Sequence, residues 1–189
     1  MNVERWDLLD KDRTPLGKTH PRGRQYPMPR GTYHLVVTVF TVNDKGYLLL
    51  TRRAACKGMY PGWWEVTGGS GIAGEDSLTS ARRELREETG IDALPEDMQL
   101  LGSIREPSAF SDCYLVRRSL PAESLTLQEG ETDAARWVSF WEFETMIHQG
   151  LIPPPVAWRY GAMLTALQTR LGRDLWLEPE CDPAREDTV

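Results

Sequence analysis

Apolar and polar positions along the chain switch period several times, and the switches mark the elements. Residues 4–9 alternate like a short strand, 10–17 hold turn residues, and a returning strand would make a small N-terminal hairpin. His34–Val42 is β-branched and apolar, Asn43-Asp44-Lys45-Gly46 is a turn, and 47–51 returns as a second apolar strand. Residues 63–67 suggest another short strand, and Gly68-Gly69-Ser70-Gly71 reads as a loop. Helical period appears at Ser77–Thr89, where Leu78, Ala81 and Leu85 share a face and Gly90 follows as a C-terminal cap. Strands are expected at 100–105, 112–118 and 134–139. Ser139 and Glu142 form a capping-box pattern that opens a helix ending at Gly150. Pro155 fits the first turn of a last helix that stops at Gly172. Strands, one central helix, more strands and then helices predict a mixed α/β sandwich.

At 189 residues, with 40% hydrophobic and 26% charged residues, the chain is long enough for one soluble domain with a real core. It divides into a hairpin and loop at 1–31, a core at 32–150, and a final helix with an acidic tail at 151–189. No stretch reaches membrane-helix length, so no membrane partner is expected. The charged N-terminus lacks a signal-peptide pattern, and a cytoplasmic location follows by default. Cys56, Cys113 and Cys181 are odd in number and widely spaced, which fits reduced structural thiols. Net charge is 22 − 28 = −6, unfavourable for a nucleic-acid partner.

The chemistry concentrates in Arg83-Glu84-Leu85-Arg86-Glu87-Glu88. At about 100° per residue, Glu84, Glu87 and Glu88 fall in one sector beside the apolar face. Such a charged face is ordinarily a solvated one, but Glu84 and Glu88 are like charges at i,i+4, which costs about 0.2–0.5 kcal/mol. A divalent cation among them would remove the conflict. The preceding loop, Gly69 to Glu75, is rich in glycine, which allows close backbone approach and lets a carbonyl join a metal shell. Neither a phosphate-binding Gly-Lys-Ser/Thr nor a dinucleotide fingerprint is present.

The run Gly69, Glu75, Arg83-Glu84-Leu85-Arg86-Glu87-Glu88-Thr89-Gly90-Ile91 resembles the Nudix box, G-x5-E-x7-R-E-U-x-E-E-x-G-U, with every fixed position filled. Weaker similarity extends over residues 33–146. The resemblance implies an α/β/α sandwich around a mixed β-sheet, and metal-assisted attack of water on a nucleoside diphosphate linked to another group. By residue, it implies Mg²⁺ or Mn²⁺ on Glu84, Glu87 and Glu88 with the Gly69 carbonyl, and Arg83 and Glu75 orienting those ligands. It offers Glu84 or Glu131 as the base that takes the proton. Glu131 lies in a Glu-x5-Trp segment similar to one in the family, and is otherwise an ordinary loop glutamate. The expected catalytic set is therefore Glu84, Glu87 and Glu131. A homodimer is common in the family.

A second resemblance competes. Tyr33-His34-Leu35, Thr51-Arg52-Arg53-Ala54, Lys57 and Tyr60-Pro61-Gly62-Trp63-Trp64 are similar to isopentenyl-diphosphate isomerase, a Nudix-fold branch that hydrolyses nothing. Its catalytic cysteine position holds Gly68 here, and a metal-binding histidine position holds Ser70. Those departures and the intact box favour an isomerase-like hydrolase over the isomerase. A Nudix-fold module that binds without catalysis is a third reading, and three mutually repelling glutamates speak against it. Arg52, Arg53 and Lys57 are expected to clamp a small diphosphate substrate, Arg53 and Lys57 matching the isomerase positions most closely, the alternative being solvated charge at a strand end. His34 reads as a hydrogen-bonded strand histidine. Tyr60, Trp63 and Trp64 fit either core packing or a stacking surface.

Overall fold

A computed structural model describes residues 3–23 and 25–177; Cys181 and the acidic tail lie outside the described residues. The hairpin is β1 (Arg5–Leu9) paired antiparallel with β2 (Pro15–Pro21). Its turn residue Arg13 has φ of 65° and forks onto the buried Asp112, docking the hairpin on the main body. A seven-stranded sheet follows. Its strands are β3 (His34–Val42), β4 (Leu48–Arg53), β5 (Trp64–Glu65), β6 (Thr67–Ser70), β7 (Gln99–Arg105), β8 (Ala109–Arg117) and β9 (Thr132–Val138). Three helices complete the fold: α1 (Ser77–Thr89), α2 (Phe140–His148) and α3 (Pro154–Leu171).

β3 explains the architecture. It pairs in parallel with β8 and antiparallel with β6, and its residues are buried on both faces, as expected of a central strand. Val37 and Val39 face α1, packing with Leu49, Ala81, Leu85 and Tyr114. Phe40 and Val42 face α2 and α3, packing with Leu48, Leu50, Phe140, Phe143 and Leu167. The result is the α/β/α sandwich that the sequence predicts.

Helix α1 begins and ends where expected. Asp76 is the N-cap, its side chain accepting a hydrogen bond from Thr79 N, and Gly90 closes the helix with φ of 75°. Other boundaries need correction. Residues 68–71 are not simply a loop, because Thr67–Ser70 is strand β6, pairing Val37 with Gly69 and Thr38 with Gly68. The expected 63–67 strand is divided between β5 and β6. β8 starts three residues before the expected position, because Ala109, Phe110 and Ser111 pair with His34, Leu35 and Val36. Among the described residues, no helix is long and apolar enough to cross a membrane.

Candidate active site

Helix α1 carries its acidic sector past the edge of β6, and Gly69 makes the passage open. A Cβ at Gly69 would collide with the Glu84 carboxylate. Glu84 and Glu88 are buried, whereas the Glu87 side chain is 40% exposed. Arg83 organises this cluster. Its Nη1 donates to Glu84 Oε1 at 2.9 Å and to Glu87 Oε2 at 3.0 Å, and its Nε donates to Glu75 Oε1 at 2.8 Å. Its Nη2 also donates to the Ser70 carbonyl at 3.1 Å, tying the helix to the end of β6. Glu75 in turn accepts from Ile72 N and Ser80 Oγ, so its carboxylate pins the loop and the helix start together.

The electrostatics divide the carboxylates. Burial works against Glu75, but its bonds from Arg83, Ile72 N and Ser80 hold it below its usual range. Burial raises Glu84, and the Arg83 charge only partly offsets this. Glu88 is pushed well above the ordinary range by burial and then by Glu65 and Glu84, against the Gly68 N–H. Its Oε2 is buried and has no hydrogen-bond partner among the described residues.

The structure separates the three expected cations. Arg53 and Lys57 line a cavity of about 520 Å³ together with Gly68, Gly69 and Ser70. Arg53 pairs with Glu65 at 2.6 Å, and Lys57 pairs with Glu131. Arg52 is not among the residues lining that cavity. It pairs with Asp133 at 2.7 Å and lies over the Trp64 ring, because neighbours in a strand point to opposite faces. Glu65 carries no sequence motif and escapes prediction, yet its side chain is largely covered among these groups, and desolvation raises it against the Arg53 charge. Tyr60 lines the cavity at φ of 50°, its ring 5.2 Å from that of Trp63. Trp64 packs against the core, under the Arg136 guanidinium. His34 is buried, stacked on Trp6 with ring centroids 3.9 Å apart, its Nδ1 3.1 Å from the Leu35 carbonyl. Cys56 is exposed and Cys113 is buried, and both are free thiols.

Does this set suit a hard divalent cation? As the side chains stand, no three His, Cys, Asp or Glu residues among the described residues form a group that would hold one. Arg83 draws Glu84 and Glu87 to itself, and Lys57 draws Glu131. The donor chemistry nevertheless fits. The candidates are all oxygens, Glu88 Oε2 is an orphaned acceptor, and the Gly69 position leaves Glu84 its space.

The sequence comparisons decide the family. A NUDIX domain model matches residues 32–158. The chain belongs to the Nudix family. An uncharacterised Nudix hydrolase of Listeria monocytogenes is 35% identical over 153 residues, covering 80% of this chain and 89% of that protein. An isopentenyl-diphosphate Delta-isomerase of Cutibacterium acnes is 31% identical over 149 residues, covering 70% of this chain and 72% of the relative. Among solved structures, one from Deinococcus radiodurans superposes with a TM-score of 0.65 at 24% identity, covering 78% of this chain and 91% of that one, and shares the fold. The glycine-opened loop and Arg83 cluster are thus the Nudix box of this chain.

Proposed function

We propose that this Nudix protein hydrolyses a diphosphate bond in a nucleoside diphosphate or a derivative of one, with a divalent cation as cofactor. The observation that carries the reading is Glu88 Oε2, a buried acceptor with no hydrogen-bond partner among the described residues, on the helix that follows the Gly68–Ser70 stretch lining the Arg53 and Lys57 cavity. Glu84, Glu87 and Glu88 with the Gly69 carbonyl would hold Mg²⁺ or Mn²⁺, which when bound neutralises phosphate charge and acidifies water. Arg53 and Lys57 bind the substrate's diphosphate, Arg53 held in place by Glu65. Arg83 and Glu75 orient the ligands. Glu84 and Glu131 are the two candidate proton acceptors; Glu131 is paired with Lys57, and a phosphate that draws Lys57 away would free it for the water. Free Cys56 and Cys113 suit a reducing, cytoplasmic setting.

The similarity to an isomerase makes isopentenyl-diphosphate isomerisation the second reading, and the backbone speaks against it. A Cβ at Gly68 would sit 2.8 Å from the Val37 carbonyl oxygen, so β6 leaves no room for a thiol at the isomerase's cysteine position.

A screen of nucleoside diphosphates, nucleotide sugars and dinucleotides with Mg²⁺ or Mn²⁺ tests the proposal. Phosphate or nucleotide products that vanish in chelator are expected. Undiminished hydrolysis in excess chelator overturns the metal assignment, and binding without turnover of any substrate leaves a binding module instead.

A further inference from the structure

The cleft holds more positive charge than Arg53 and Lys57 supply. Its wall also includes Arg22, from the segment after β2, and Arg159, from α3. Neither is in the Nudix box, and the two come from opposite ends of the chain.

Each is aimed by a carboxylate. Glu4 Oε2 accepts from Arg22 Nη1 at 2.5 Å. Glu106 accepts from Arg159 Nε at 2.6 Å and Nη2 at 3.2 Å, and both side chains are largely buried, at 14% and 15% exposure. Arg159 Nη1 has no hydrogen-bond partner among the described residues. A guanidinium held rigid along one edge, with N–H groups free on the other, is a preorganised anion receptor. Both arginines line the one cavity, and the Arg22 charge acts on Glu84 of the box as well as on the buried His34 ring.

A plain structural pair between α3 and the turn after β7 would explain the Arg159–Glu106 contact. It would not explain why Arg159 also lines a cavity of about 520 Å³ together with a second arginine from just after the hairpin. That volume falls within the roughly 300–1,000 Å³ of small-molecule sites. Apolar wall from Val36, Met59, Tyr60, Val66 and Val156 completes it. Four cations along one cavity with an apolar wall suit a ligand that carries more than one anionic group on a less polar body.

We propose that Arg22 and Arg159 extend the anion-binding wall that Arg53 and Lys57 begin into a larger subsite, and that the substrate class is a nucleoside diphosphate derivative carrying a further phosphate. This rests on the hydrolase reading for what happens at the box, but the subsite itself is a matter of binding.

The test is therefore equilibrium binding by calorimetry in chelator, where metal-assisted turnover is off. Two matched pairs serve as probes: ADP against its 3′-phosphorylated form, and NADH against NADPH. At least one phosphorylated member should bind about tenfold or more tightly than its partner. R22Q and R159Q should each bring that ratio toward one, and R159K should keep part of it because the charge remains. Melting temperatures identify a variant that fails to fold, and R159K then carries the comparison for Arg159. Equal affinity within both pairs for the natural protein overturns the subsite, as does an unchanged ratio in the folded variants. Absence of Mg²⁺-dependent hydrolysis with the ratio intact would sink the hydrolase reading and support the subsite. Hydrolysis with no ratio would do the reverse.

Discussion

The Glu84 carboxylate occupies the space that a side chain at Gly69 would fill. Glycine is required here by a neighbour, since Gly69 is absent from the positive-φ residues. Gly69→Ala should therefore fold, with overpacking costing about 1–3 kcal/mol, while displacing Glu84. Activity should fall by about a hundredfold and metal affinity should fall with it, by analogy with the loss of a ligand's support. Calorimetric Mn²⁺ binding and turnover check this together. A variant with near-natural rate and affinity would show that Glu84 does not serve the metal.

Glu87→Gln and Glu88→Gln should each lower turnover by about a hundredfold or more with the fold retained. Their metal-free stabilities should differ. Burial raises Glu88, so the folded state favours its protonated form. That contribution is fully present below the unfolded value of 4.5 and is lost as pH rises toward the folded value. Glu88→Gln removes this loss, so in chelator its stability should decline less between pH 5 and about 8 than that of the natural chain, leaving the variant the more stable at neutral pH. Urea melts across that range measure it, and parallel curves would contradict the burial of an uncompensated carboxylate.

His34 gives the opposite slope. Burial lowers it from 6.5 to about 4, against the Leu35 carbonyl and Glu106, with Arg22 and Arg159 lowering it further. The folded state thus prefers the neutral ring, and stability falls as pH drops from 6.5 through about 4. The gap is worth at most about 3 kcal/mol. His34→Gln should be less stable at pH 7 but should show a shallower decline toward pH 4. If the variant and the natural chain decline alike, the ring is not buried neutral.

Incubation with isopentenyl diphosphate and Mg²⁺ should give no dimethylallyl diphosphate. Gly68 lacks a thiol and Ser70 lacks an imidazole, while the Val37 carbonyl blocks the first position. Restoring Gly68→Cys alone should not create the activity and should destabilise β6. Acid-labile product at a catalytic rate from the natural chain would reinstate the isomerase.

Much of this was legible in the sequence, for definite reasons. Helix α1 announces itself because its apolar period and Gly90 stop agree, and the structure adds the Asp76 cap. β6 does not, because Thr-Gly-Gly-Ser has little strand preference of its own and is made a strand by pairing with β3. The box glutamates could be placed on one helical sector and Arg83 paired with Glu87 at i,i+4, but not the sideways bond from the same Arg83 nitrogen to Glu84. The isomerase resemblance favours Arg53 over its neighbour Arg52 without a structural reason; strand alternation supplies it, sending only Arg53 to the cleft. Glu65 sits in a strand of two residues, too short to show a period, and its burial depends on contacts distant in sequence.

The hairpin is stitched to the box loop by two bonds: Ala73 N donates to the Arg5 carbonyl at 2.8 Å, and Gly74 N to Asp7 Oδ2 at 2.7 Å. Residues 5 and 7 precede the family-matched region, which begins at 32. The loop that leads into the acidic helix is thus braced from outside the part of the chain that family similarity recognises. A laboratory that trims this protein to its recognisable boundaries would keep every glutamate of the box and remove the strand that holds their loop in place.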